Sequence, residues 1–118
     1  MASKFILLVE DDLNLQQSIT LVLHREGYLV TATDCAPEVL DIVGTGKYNL
    51  VILDSDMPET QKILLPRLEQ CFPTIPVIIL NDQPPSDSKL SSVRVPIHFL
   101  SKPVAPENLL EKVHLVME

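Results

Sequence analysis

Asn49–Pro58 reads NLVILDSDMP, and the fold is decided by how this stretch is read. Leu50, Val51, Ile52 and Leu53 run without a polar break into Asp54, with Asp56 just beyond and Pro58 forbidding a helix interior. An apolar run of this length, ended by turn residues, fits a strand buried on both faces, the kind found in parallel sheets covered by helices. The carboxyl end of such a strand is where open α/β sheets bind ligands. Asp54 therefore stands where chemistry is usually placed.

Outward from this strand, two more runs share its character. KFILLV (Lys4–Val9) ends directly in Glu10, Asp11 and Asp12, and PVIIL (Pro76–Leu80) ends in Asn81. Between them the period turns helical. Leu15, Ile19, Val22 and Leu23 share a stripe, with Asp11 or Asp12 able to cap its start and Gly27 placed to end it in the left-handed conformation. Tyr28–Thr33 is short and β-favouring, and the next helix has Val39, Leu40, Ile42 and Val43 as its apolar side, closed by Gly44 and Gly46. Thr60–Gln70 is helical in pattern but holds Pro66, which predicts a kink or a restart there.

The pattern weakens over Asn81–Val95, where Pro84 and Pro85 leave room for at most a short helix near Ser86–Ser92. Pro96–Leu100 reads as a final strand. A last helix begins at Ala105 or Pro106 and presents Leu109, Leu110, Val113 and Val116. Five strands alternating with helices, the fourth helix poorly formed, predict one α/β domain over residues 1–118: a doubly wound parallel sheet with helices on both faces.

Composition narrows the function classes. At 118 residues and 46% hydrophobic content, the chain suffices for one core and not for two domains. A formal charge of −7 with scattered Lys and Arg argues against direct binding to nucleic acid or an anionic membrane. Two cysteines, Cys35 and Cys71, and no leader-like or membrane-spanning run, read as a cytoplasmic chain with free thiols.

The predicted topology delivers Glu10 and Asp11, Asp54, Asn81 and Lys102 to one edge of the sheet. Carboxylates converging there repel, so some hold protons or need a cation between them. Hard oxygen ligands in small number suit Mg²⁺, which completes its shell with water and phosphate oxygens. A lysine beside them supplies a point charge for a phosphoryl oxygen, and Asp54 is then placed to attack phosphorus. Taken singly, each piece has a plainer reading: acids after a strand cap helices, and Lys-Pro is mostly a turn. Their convergence in this chain order is what points to phosphoryl chemistry.

With FILLVEDD near the start, LVILDSDMP in the middle, PVIIL before Asn81 and FLSKP near the end, the chain resembles, over its whole length, the receiver domain of two-component response regulators. The resemblance implies a flavodoxin-like fold with strand order 2-1-3-4-5. It implies phosphoryl transfer from a sensor histidine kinase or phosphotransfer protein to Asp54, with Asp11 and Asp54 binding Mg²⁺ directly. Glu10 would hold a metal water, the carbonyl of Asp56 would be a further ligand, and Lys102 would pair with the phosphoryl group. The same match makes Asn81 and Phe99 the switch positions. They would couple the phosphate to a downstream effector, or to a weak homodimer, through the face made by the fourth helical segment, the fifth strand and the last helix. Such a domain is a phosphate acceptor and not a turnover enzyme.

The chain also departs from that pattern. The family normally has Ser or Thr where Asn81 stands, whose hydroxyl bonds a phosphoryl oxygen. Asparagine still donates through its amide but is longer and branches differently, so altered coupling is expected. Asp82 adds an acid where a small residue is usual, Lys62 stands near a usual glycine, and the fourth helical segment is proline-rich. The alternative function is therefore a receiver-like interaction module that no longer switches. A third reading takes LVILDSD as the Asp-x-Asp nucleophile of haloacid-dehalogenase-type phosphatases. It fits poorly, because that motif follows the first strand of a longer chain and lacks Met57-Pro58.

Overall fold

The computed structural model describes residues 4–34, 39–44, 47–54, 65–71, 74–81, 97–102 and 104–117. Its strands are β1 (Phe5–Val9), β2 (Leu29–Thr33), β3 (Leu50–Asp54), β4 (Val77–Asn81) and β5 (Ile97–Ser101). Its helices are α1 (Leu13–Arg25), α2 (Val39–Val43), α3 (Leu65–Cys71) and α4 (Pro106–Met117). The strands form one parallel sheet in the order β2-β1-β3-β4-β5. The flavodoxin-like order implied by the resemblance is the order found.

The three continuous apolar runs became the three inner strands because an inner strand must offer apolar side chains to both faces. Side chains alternate across a strand, so each run divides between two cores. Leu7, Val9, Val51, Leu53, Val77 and Ile79 pack on one face with Val39 and Val43 of α2 and Leu68 of α3. Ile6, Leu8, Leu50, Ile52, Ile78 and Leu80 pack on the other with Ile19 and Leu23 of α1 and Leu109 and Val113 of α4. Each such residue, fully removed from water, contributes about 1.5–3 kcal/mol. The outer strands β2 and β5 carry only partly buried and exposed side chains where described, as their weaker patterns require.

Local signals set the ends of the helices. Asp12 is the N-cap of α1, its Oδ1 accepting the N–H groups of Asn14 at 3.0 Å and Leu15 at 3.3 Å. Gly27, at φ +92°, ends α1 in the left-handed region where a side chain is strained. Tyr28 is core rather than strand, buried against the α1 and α4 face, with its N–H bonded to Leu23 O. Helix α3 starts at Leu65 and places Pro66 in its first turn, where the missing N–H costs nothing. Residues 60–64, the part of the predicted helix ahead of this start, lie outside the described residues, and the kink or restart expected at Pro66 falls with them. So does the segment read as a poorly formed helix between β4 and β5.

Cys71 is a free, exposed thiol. Among the described residues, no helix is long and apolar enough to cross a membrane.

Candidate functional site

The order β2-β1-β3 means that the chain winds away from β1 in both directions, and a crevice opens where the winding reverses, at the carboxyl ends of β1 and β3. Val9 lies beside Leu53 in the register, so Glu10, the first residue past β1, comes alongside Asp54, the last of β3. Asp11 joins them. One carboxylate oxygen from each of Glu10, Asp11 and Asp54 lies within 4.8 Å of the others. Glu10 and Asp54 are the buried polar or charged side chains among the described residues, whereas Asp11 is exposed. Burying two carboxylates side by side is costly unless a cation compensates them.

Lys102 supplies part of that compensation. It follows β5, and the Asn81–Ser101 register carries it to the same end of the sheet. Its Nζ lies 2.9 Å from Asp54 Oδ1 and 3.8 Å from Glu10 Oε1. The lysine donates a charge-assisted hydrogen bond to the first and a longer-range attraction to the second.

Glu10 remains under-compensated. Its Oε2 accepts the Asp12 N–H at 3.1 Å, but its buried Oε1 takes no hydrogen bond. Burial most of all, and then the adjoining Asp54 carboxyl, push its pKa up to about 7 against the opposing pull of the Asp12 N–H and Lys102. A buried carboxylate oxygen without a donor, facing two further acids, has the chemistry of a cation ligand. The all-oxygen donor set fits a hard divalent ion.

Of the residues marked out from sequence, the structure thus brings together Glu10, Asp11, Asp54 and Lys102. Asn81 closes β4 opposite Ser101 in the neighbouring strand. Phe99 is partly buried against the core on the α2 and α3 face. Asp56, Lys62, Asp82, Pro84 and Pro85 lie outside the described residues.

Two contributors were not singled out for the site. Asp12 was read only as a possible cap, yet its backbone N–H also fixes Glu10 Oε2. Gln16 lies off the apolar stripe of α1, and its Nε2 donates to the Glu10 carbonyl at 3.0 Å. Its spacing from Glu10 along the β1–α1 turn is the only sequence signal, and it is a weak one.

Comparison with known proteins gives the family. The family model described as the response regulator receiver domain matches residues 6–114. The chain belongs to that family. It is similar to the transcriptional regulatory protein PmrA of Pectobacterium parmentieri, 33% identical over 114 residues, which cover 95% of this chain and 51% of that one. The cell cycle transcriptional regulator CtrA of Caulobacter vibrioides is 29% identical over 95% of this chain and 49% of its own. Among solved structures, a CheY-like receiver domain protein from Methanospirillum hungatei superposes with a TM-score of 0.86 at 26% identity, covering 98% of this chain and 94% of that one. The chain spans about half the length of the curated relatives it matches.

Proposed function

We propose that this chain is a phospho-accepting receiver that takes a phosphoryl group from a histidine kinase or phosphotransfer protein onto Asp54. The observation that carries the reading is the buried Asp54 carboxylate at the end of β3, flanked by Glu10 and Asp11 and held by Lys102 Nζ at 2.9 Å. An oxygen of Asp54 attacks phosphorus; the new P–O bond forms as the P–N bond of the donor breaks, and its electron pair stays on the imidazole nitrogen. Glu10, Asp11 and Asp54, with Asp56 through its carbonyl, would hold Mg²⁺. When bound, the ion supplies charge neutralisation for the transferring group. Lys102 moves from Asp54 onto a phosphoryl oxygen and keeps that charge compensated.

The domain is modified once and does not turn over. Its output runs through β5 and α4 to an effector domain or protein. A groove lined by Phe99, Leu100, Asn108, Glu111, Lys112 and Leu115 lies on that face, with Leu115 largely exposed.

A second reading, a constitutive interaction module, is favoured by the sequence departures at Asn81, Asp82 and Pro84-Pro85, with Asn81 in place of the usual hydroxyl foremost. One experiment separates the two. Intact mass is recorded after incubation with acetyl phosphate, with and without Mg²⁺, on the parent and on Asp54→Asn. A single Mg²⁺-dependent phosphoryl adduct, absent from Asp54→Asn, supports the receiver. Absence of both adduct and Mg²⁺ binding supports the module, and an adduct that persists in Asp54→Asn removes Asp54 as the acceptor.

A further inference from the structure

We infer that Gln16 is a positioning residue for the cation site proposed above, on which this inference rests. Glu10 stands one residue past the last paired position of β1, where its N–H makes the closing bond to β2 and its other groups look beyond the sheet for partners. Three of its polar groups are tied. Its N–H donates to Thr33 O at 3.0 Å, its Oε2 accepts from the Asp12 N–H at 3.1 Å, and its carbonyl accepts from Gln16 Nε2 at 3.0 Å. What is left over is Oε1, buried, without a hydrogen bond, and facing Asp54 and Lys102.

The three ties are not equivalent. Two come from backbone amides that any sequence would provide. The third depends on one side chain, because a carbonyl only accepts and the side chain opposite it must carry a donor hydrogen. Gln16 reaches it from the end of the first turn of α1, where its own N–H makes the first regular helical bond, to Asp12 O at 2.9 Å. The amide thereby clamps the peptide leading from Glu10 into Asp11, and both acids of the β1–α1 turn inherit their orientation from α1. Groups that orient metal ligands from one bond away commonly alter affinity by about 10–100-fold when lost. Gln16 acts through a peptide group, which places its effect near the lower end.

The test is a calorimetric titration of Mg²⁺ into EDTA-stripped protein for the parent, Gln16→Met, Gln16→Ala and the exposed neighbour Gln17→Met. Methionine keeps the length and helix preference of glutamine but cannot donate. Both Gln16 variants should bind Mg²⁺ about tenfold more weakly. Gln17→Met should match the parent. Thermal midpoints measured in EDTA should move no more for Gln16→Met than for Gln17→Met, a separation that a merely structural role would not produce. Gln16 variants that bind as the parent does would overturn the inference and leave the cation site standing. A folded parent that takes up no Mg²⁺ would overturn the cation site, and the inference with it.

Discussion

Lys102 Nζ lies 2.9 Å from Asp54 Oδ1, so the acid delivered by β3 is already paired by the cation that follows β5. The same lysine stands 3.8 Å from Glu10, making it a shared counter-charge for two buried carboxylates.

Lys102→Ala removes that charge and leaves the acids facing one another. Without metal and above pH 7, the loss costs up to about 3 kcal/mol, moderated where Glu10 takes up a proton. Magnesium should recover part of it, because the ion occupies the same negative potential. Urea unfolding with EDTA and with Mg²⁺ checks both halves: the deficit is expected to shrink when the ion is present. Mg²⁺ binding should survive while the conformational response to phosphate is impaired.

The pH dependence follows from Glu10. Its folded pKa of about 7 lies above the ordinary carboxylate value of 4.5, so between these values the folded protein holds a proton that the unfolded chain has lost. The stabilisation is complete below about pH 4.5 and disappears as pH rises through 7. In EDTA, the parent should therefore lose stability from pH 5 to pH 8 relative to Glu10→Gln. Mg²⁺ affinity should rise over the same interval, since the ion no longer competes with a proton.

Gly27→Ala isolates backbone strain. A Cβ there would meet nothing within 4 Å, so no clash contributes, and the cost comes from φ +92° alone. Destabilisation of about 1 kcal/mol is expected. A shift in the urea midpoint without a change in slope would show it, and Mg²⁺ binding should be unaffected.

Asn81→Thr tests the altered switch position. Threonine restores the hydroxyl usual for the family at this position, one bond closer to the backbone than the asparagine amide. Amide exchange over residues 82–96, with and without acetyl phosphate and Mg²⁺, should differ more in the variant than in the parent. Equal differences in both proteins would clear Asn81 of weakening the coupling.

The inner strands were legible because burial on both faces leaves an unbroken apolar run, and β1, β3 and β4 each show one. Strand ends were less so. Tyr28 and Pro76 fit the pattern of strands that begin one residue later, since side-chain hydrophobicity marks burial and says little about which amide pairs. Asn81 and Ser101, polar residues at the exits of β4 and β5, were left out of strands that include them for the converse reason. The acids and Lys102 were legible through chain order. The clamp from Gln16 and the tie from the Asp12 N–H were not, because a hydrogen bond to a neighbouring turn has no period, and a backbone donor has no letter in the sequence.

Sheet position sets how firmly each charge is held. Asp54 ends, and Glu10 directly follows, a strand with neighbours on both sides, while Lys102 follows β5, which ends the sheet and whose described side chains are only partly buried or exposed. Local opening is least costly at such an edge. Fraying of β5 would lift the lysine away and leave the acids in place, so the sheet's own margin governs whether their counter-charge is at hand.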